Sequence, residues 1–90
     1  MLVSLLISTY NWKEALSLCL YSVLAQTVKP AEILIADDGS REDTRQMIEE
    51  MRKKTDIPIV HVWHEDKGFR LSAIRNRTIA QAKGEYIIQI

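Results

Sequence analysis

Apolar and polar positions along this chain fall into blocks whose period switches repeatedly between that of a strand and that of a helix. Val3 to Ser8 is a short, continuously apolar run, the signature of a strand buried on both faces. From Trp12 to Gln26 the positions Leu16, Cys19, Leu20, Val23 and Leu24 recur at i, i+3, i+4, i+7 and i+8, which predicts a helix with one stripe facing a sheet. Lys29-Pro30 ends that helix and leads into a second buried strand from Glu32, which stops abruptly at Asp37-Asp38-Gly39-Ser40. A second helix is predicted over Arg41 to Lys54, with Thr44, Met47, Ile48 and Met51 inward and Arg52-Lys53-Lys54 complementing the dipole at its end. Ile57 to Trp63 reads as a third strand and His64 to Gly68 as the loop after it. A third helix is expected over Arg70 to Ala82, with Leu71, Ile74, Thr78 and Ala82 inward, and Glu85 to Ile90 opens a fourth strand. Local punctuation agrees: Asn11 is placed to N-cap the first helix, and Gly39 permits the sharp turn. Ser40 with Asp43 fits a capping box for the second helix, and Gly84 is placed to close the third.

The succession β-α-β-α-β-α-β implies a parallel sheet with right-handed crossovers. The expected fold class is therefore α/β, a Rossmann-like three-layer α/β/α arrangement of about four strands in the order 3-2-1-4. Every strand-to-helix loop then collects at the carboxyl edge of the sheet, where open α/β sheets bind ligands at a switch in strand order. Composition narrows the field. Ninety residues suit one small domain. Lys+Arg and Asp+Glu balance at 12 each, so no basic field points to nucleic acid. The single cysteine, Cys19, excludes an internal disulfide and a Cys-based zinc site, and its place in the helix stripe makes it a core residue. No apolar run approaches the ~18–20 residues needed to cross a bilayer, and the first residues lack the cationic region of a secretory signal. The expectation is a soluble, cytoplasmic chain.

Two adjacent acids at a ligand-binding edge cost electrostatic energy unless something there uses them. Asp37 and Asp38 are therefore the first candidate site residues, although one acid of such a pair often serves only turn or helix-start N–H groups. The loop after the first strand, Ser8-Thr9-Tyr10-Asn11-Trp12, contains no glycine, which excludes both the G-x-G-x-x-G dinucleotide fingerprint and the P-loop. It offers hydroxyls, an amide and aromatic rings, which suit stacking and hydrogen bonding to a base or a sugar. Arg75 falls beside the inward stripe of the third helix and needs a partner, whereas Arg77 fits a solvated face. His61 and His64 stand three apart, so they point to opposite faces and make poor joint metal ligands. His61 reads as a satisfied core or near-surface histidine, and His64-Glu65-Asp66 is in reach of the ligand edge but reads better as a solvated loop.

Three ordered segments carry a resemblance: Val3 to Asn11, Ser22 to Thr27, and Glu32 to Ser40. With Asp66 to Asn76 and Ala82 to Ile87 in the same register, the chain resembles the opening of the family-2 inverting glycosyltransferases. The Gly68 to Asn76 segment is similar to the branch containing chondroitin-type polymerases and related bacterial transferases. The resemblance implies a GT-A fold, here truncated, whose N-terminal half binds a nucleotide sugar, commonly a UDP-sugar. It implies that Ser8 and Tyr10 line the uracil and ribose, with Thr9 and Asn11 in the same loop. Asp38 matches the acid that contacts the uracil, with Asp37 beside it, and Arg70, Arg75 and Asn76 fall in the segment that closes the nucleotide pocket. In that family an Asp-x-Asp after the fourth strand holds Mn²⁺ or Mg²⁺ on the diphosphate, and a later carboxylate is the general base. The sequence ends at Ile90, where that motif would begin. Residues 1–90 are thus expected to form a single partial domain, inactive alone, with no catalytic residue and with the metal ligands outside the chain. The implied partners are a nucleotide sugar and, for the full-length protein, a saccharide acceptor. Self-association through the last strand is also expected, and membrane association of the parent, at the inner face, is compatible but not encoded here. The alternatives are a non-catalytic α/β interaction module and a receiver-like signalling domain, but the latter places its acid pair after the first strand.

Overall fold

The computed structural model describes residues 2–68 and 70–90. Phe69, part of the Asp66–Asn76 segment, lies outside them. The elements run β1 (Val3–Thr9), α1 (Lys13–Leu24), β2 (Glu32–Asp37), α2 (Glu42–Arg52), β3 (Ile59–Trp63), α3 (Leu71–Ile79) and β4 (Tyr86–Gln89). All strand pairs are parallel, in the order β3-β2-β1-β4. This is the sheet that the alternation of periods predicts.

The sheet separates two apolar layers. Leu16, Leu20 and Val23 of α1 and Ile48 and Met51 of α2 pack on Leu5, Ile7, Ile33, Ile35 and Ile59. On the other face Ile74 of α3 packs on Leu6, Ala36 and Val62, with Leu71 and Ile79 alongside. Every residue of β2 is buried, as a central strand covered on both faces requires. Cys19, Leu24 and Met47 flank the first layer, as their stripes predict. Among the described residues no helix is long and apolar enough to cross a membrane.

The register sets the functional edge. Thr9 pairs with Asp37, and Asp37 with Trp63, so three strands end level and their loops emerge side by side. β3 begins only at Ile59, because Pro58 has no N–H to give the ladder and contributes its carbonyl to Ile33 N at 2.9 Å instead.

Three expected caps are corrected. Trp12, not Asn11, is the N-cap residue of α1, and no side chain caps that helix. Asn11 instead adopts a left-handed φ of 45° and bridges loops: its N–H donates to Ser40 Oγ and its Oδ1 accepts from Arg41 N, both at 2.8 Å. Arg41 is the N-cap residue of α2, also without a side-chain cap, so the Ser40–Asp43 capping box does not form. Gly84 does not close α3, which ends at Ile79. Its N–H donates to Ser4 Oγ at 2.9 Å, and a Cβ there would stand 2.7 Å from Ser4 N. Gly84 is thus a point of close backbone approach at the amino edge of the sheet. There the buried Glu32 carboxylate accepts from Ser4 Oγ and Lys83 N, each at 2.6 Å. Burial would raise the Glu32 pKa, but these donors, the Gly84 N–H and the Lys83 charge hold it below the ordinary carboxylate range.

Candidate functional site

At the carboxyl edge, on the α3 side of the sheet, lies a cavity of about 450 Å³ lined by Ser8, Thr9, Tyr10, Asp38, Asp66, Gly68 and Leu71. The size is within the ~300–1,000 Å³ of small-ligand sites. Its floor comes from the end of β1. Ser8 Oγ accepts from Arg75 Nε at 2.9 Å, so α3 reaches across the sheet and fixes the first loop residue. This is the partner that Arg75 needs. Tyr10 is half exposed at the mouth, and its hydroxyl donates to Asp66 Oδ2 at 2.6 Å. That bond to a carboxylate raises the Tyr10 pKa and keeps the phenol protonated.

The two acids divide. Asp37 is fully buried: Oδ1 accepts from Ser40 N at 2.8 Å, and Oδ2 lies 2.7 Å from His61 Nε2. Asp38 faces the cavity, with Oδ1 bonded to His64 Nε2 and Oδ2 accepting from Arg70 N at 2.9 Å. Burial pushes its carboxyl up, but the bonds from His64 and the Arg70 N–H, and the electrostatics of both residues, outweigh burial and hold it low. It presents a fixed anionic acceptor to whatever enters.

Of the nine expected site residues, Ser8, Thr9, Tyr10 and Asp38 line the cavity, and Arg70 and Arg75 brace it. Arg70 Nη2 donates to Glu65 O at 2.7 Å, while its Nε is buried without a partner among the described residues. Asp37 sits beneath the turn, Asn11 ties the β1 and β2 loops together, and Asn76 is exposed on α3 away from the lining. For His64 and Asp66 the structure favours the ligand edge over the solvated loop that the sequence pattern suggests: His64 bonds Asp38 and Asp66 bonds Tyr10. Gly39 explains their position. It has φ +91° and lies so close to the Asp66 backbone that a Cβ would stand 2.6 Å from Asp66 Cα. The β2–α2 turn and the β3–α3 loop are thereby pressed together. The signal available was the strand-end register, which sets His64 beside Asp38. Among the described residues no group of three or more His, Cys, Asp or Glu is gathered that could hold a metal ion. The divalent metal implied by the resemblance therefore finds no fitting donor set among these residues.

Comparison with known proteins bears on the family and the fold. The profile of "Glycosyl transferase family 2" matches residues 4–90. The hyaluronan synthase of Pasteurella multocida is 36% identical over 86 residues, 94% of this chain but 9% of that protein. The UDP-Glc:alpha-D-GlcNAc-diphosphoundecaprenol beta-1,3-glucosyltransferase WfaP of Escherichia coli is 35% identical, covering 96% of this chain and 33% of its own length. The crystal structure of S. aureus TarS superposes with a TM-score of 0.71 at 28% identity, over all of this chain and 16% of TarS. The chain thus spans a third or less of each of these relatives.

Proposed function

Because the chain belongs to glycosyl transferase family 2, we propose that it supplies the nucleotide-sugar-binding part of a glycosyltransferase, with a UDP-sugar as donor and a saccharide hydroxyl as acceptor. The observation that carries the reading is the cavity at the carboxyl edge, which joins an aromatic ring, two hydroxyl-bearing residues and a held carboxylate. In this reading the Tyr10 ring packs on the base and Asp38 accepts from a ring N–H. Ser8 and Thr9 face the ribose, and Arg75 keeps Ser8 in place through the bond to its hydroxyl. The UDP-Glc in the name of WfaP supports a uridine donor. We extend the reading to transfer with inversion, with Mn²⁺ or Mg²⁺ held by residues beyond those described here. The chain alone is then inert, works on the cytoplasmic side, and self-associates through β4. A receiver-like module is not favoured, because the acid pair follows β2 while β1 ends in Ser-Thr-Tyr-Asn.

The test is a UDP titration of the isotope-labelled chain by NMR, with and without Mg²⁺. Shifts at Ser8, Tyr10, Asp38 and Leu71 that need no metal are expected. A folded spectrum that does not respond to UDP overturns the reading.

A further inference from the structure

The Asp37–Ser40 turn has a second side. Opposite the first cavity, on the α2 side of the sheet, lies a separate cavity of about 530 Å³ lined by Ser40, Arg41, Glu42, Arg45, His61 and Trp63. It shares no lining residue with the first cavity. Strand alternation builds its wall: His61 and Trp63 are two apart on β3 and so share a face. Trp63 is 46% exposed, yet its ring is fixed, because Nε1 donates to Ser40 O at 3.0 Å. A half-bare indole oriented by that hydrogen bond at a concave surface is a platform for a ligand with an apolar face.

The charges around that platform decide the ligand class. Arg45 is clamped by Glu42, with Nε donating to Oε1 at 2.9 Å, and His61 is bonded to buried Asp37. The cavity therefore balances most of its own charge. Arg41, an exposed residue tied down through its backbone N–H, which donates to Asn11 Oδ1, is part of the cavity lining. A phosphate or diphosphate site would gather unopposed cations. Planar donors and acceptors beside a fixed aromatic face instead suit a polyhydroxyl ring, with its C–H face on the indole and its hydroxyls shared between Arg41, Glu42 and Arg45.

We propose that this cavity is an accessory saccharide-binding subsite, which holds a non-reacting, uncharged pyranose segment beside the nucleotide-sugar cavity. It does not depend on nucleotide binding at the first cavity, and UDP is not used to test it.

The test is a titration of the labelled chain with a neutral tetrasaccharide of glucose in the millimolar range, followed at the two indole N–H signals. Trp63 and the amides of Arg41, Glu42, Arg45 and His61 shift, and the indole of Trp12 serves as internal control. Arg41→Ala, which removes an exposed side chain and keeps the backbone bond to Asn11, weakens the response about tenfold. Trp63→Ala abolishes it. Three results overturn the proposal: a Trp63 signal that does not move, shifts confined to Ser8, Tyr10 and Leu71, or inorganic phosphate producing the same shifts in place of the saccharide. An Arg41→Ala chain that binds as tightly as the parent also overturns it, whether or not Trp63→Ala folds.

Discussion

Asp37 and Asp38 are neighbours in the chain with different physical tasks. Removing Asp37 leaves the buried Ser40 N–H and the His61 ring without their acceptor. Asp37→Ala is therefore expected to lower unfolding free energy by about 2–4 kcal/mol in chemical denaturation. Asp38→Asn keeps the shape of a group that faces the cavity, so its main expected effect is a loss of UDP affinity of about tenfold or more, read by the same NMR titration. A pair of results with the roles exchanged would reassign the two acids. Strand alternation already separates them: Ile33, Ile35 and Asp37 share a face, as do Ile59, His61 and Trp63. What the sequence does not show is the pairing of Asp37 with Trp63, which aligns those faces and brings His61 to Asp37. Glu32, at the opposite edge, shows in the sequence only as the start of a strand, because its donors, Ser4 Oγ and the main chain of Lys83, lie 28 and 51 residues away. Its depressed pKa makes a pH prediction. The stabilisation is complete above its unfolded pKa of about 4.3 and is lost as pH falls through the lower folded value. Glu32→Gln should cost about 1–2 kcal/mol at neutral pH and flatten the acid side of the stability curve below about pH 4. Urea melts between neutral and acid pH would show an unchanged slope if Glu32 had no such role.

The helices and strands were legible because each must bury one face, and burial writes its period into the sequence. Their ends were not. Asn11, Ser40 and Gly84 carry the residue types of caps, but each is engaged by a partner on another loop or strand: Asn11 by Ser40 and Arg41, and Gly84 by Ser4. Local propensity cannot foresee a partner thirty or eighty residues away. Gly39 shows how such a contact shapes the site. Gly39→Ala meets both an unfavourable φ of +91° and a Cβ overlap with the Asp66 backbone. A loss of about 1–3 kcal/mol is expected, with displaced Tyr10 and Asp66 signals and weaker UDP binding. Gly68→Ala is the control. It also has a positive φ, +86°, but among the described residues other than its chain neighbours no atom lies within 4 Å of its Cβ position, so it should cost only about 1 kcal/mol and leave Tyr10 in place. Equal effects from both would mean that backbone strain, not the contact with Asp66, is what Gly39 avoids.

For the molecule as a whole, right-handed crossovers leave few ways to order four parallel strands, which is why β3-β2-β1-β4 could be read from the block pattern. That order puts β1 and β2 at the centre and β4 at one side, where Tyr86, Ile87, Ile88 and Gln89 are all exposed. An apolar strand at an open edge presents unpaired backbone groups and a greasy face together, the combination that templates pairing with another chain. Beside it lies a recess lined mostly by apolar residues, Val3, Leu5, Val23, Val28, Ile88 and Ile90 among them, with Gln26 and Lys29 also on its wall, which adds surface for a second copy to cover. Neither charge nor proline interrupts β4, and its nearest acid is Glu85, just before the strand begins. The chain is therefore expected to self-associate in the micromolar range, seen as a concentration-dependent sedimentation coefficient. Ile88→Lys places a charge in the middle of that edge and should shift the equilibrium to monomer by tenfold or more, on the order of 1.4 kcal/mol. Because Ile88 is 51% exposed and outside both carboxyl-edge cavities, the same variant should keep its UDP response. A parent chain that sediments as a monomer across the micromolar range would overturn the expectation that this apolar edge pairs with a second copy.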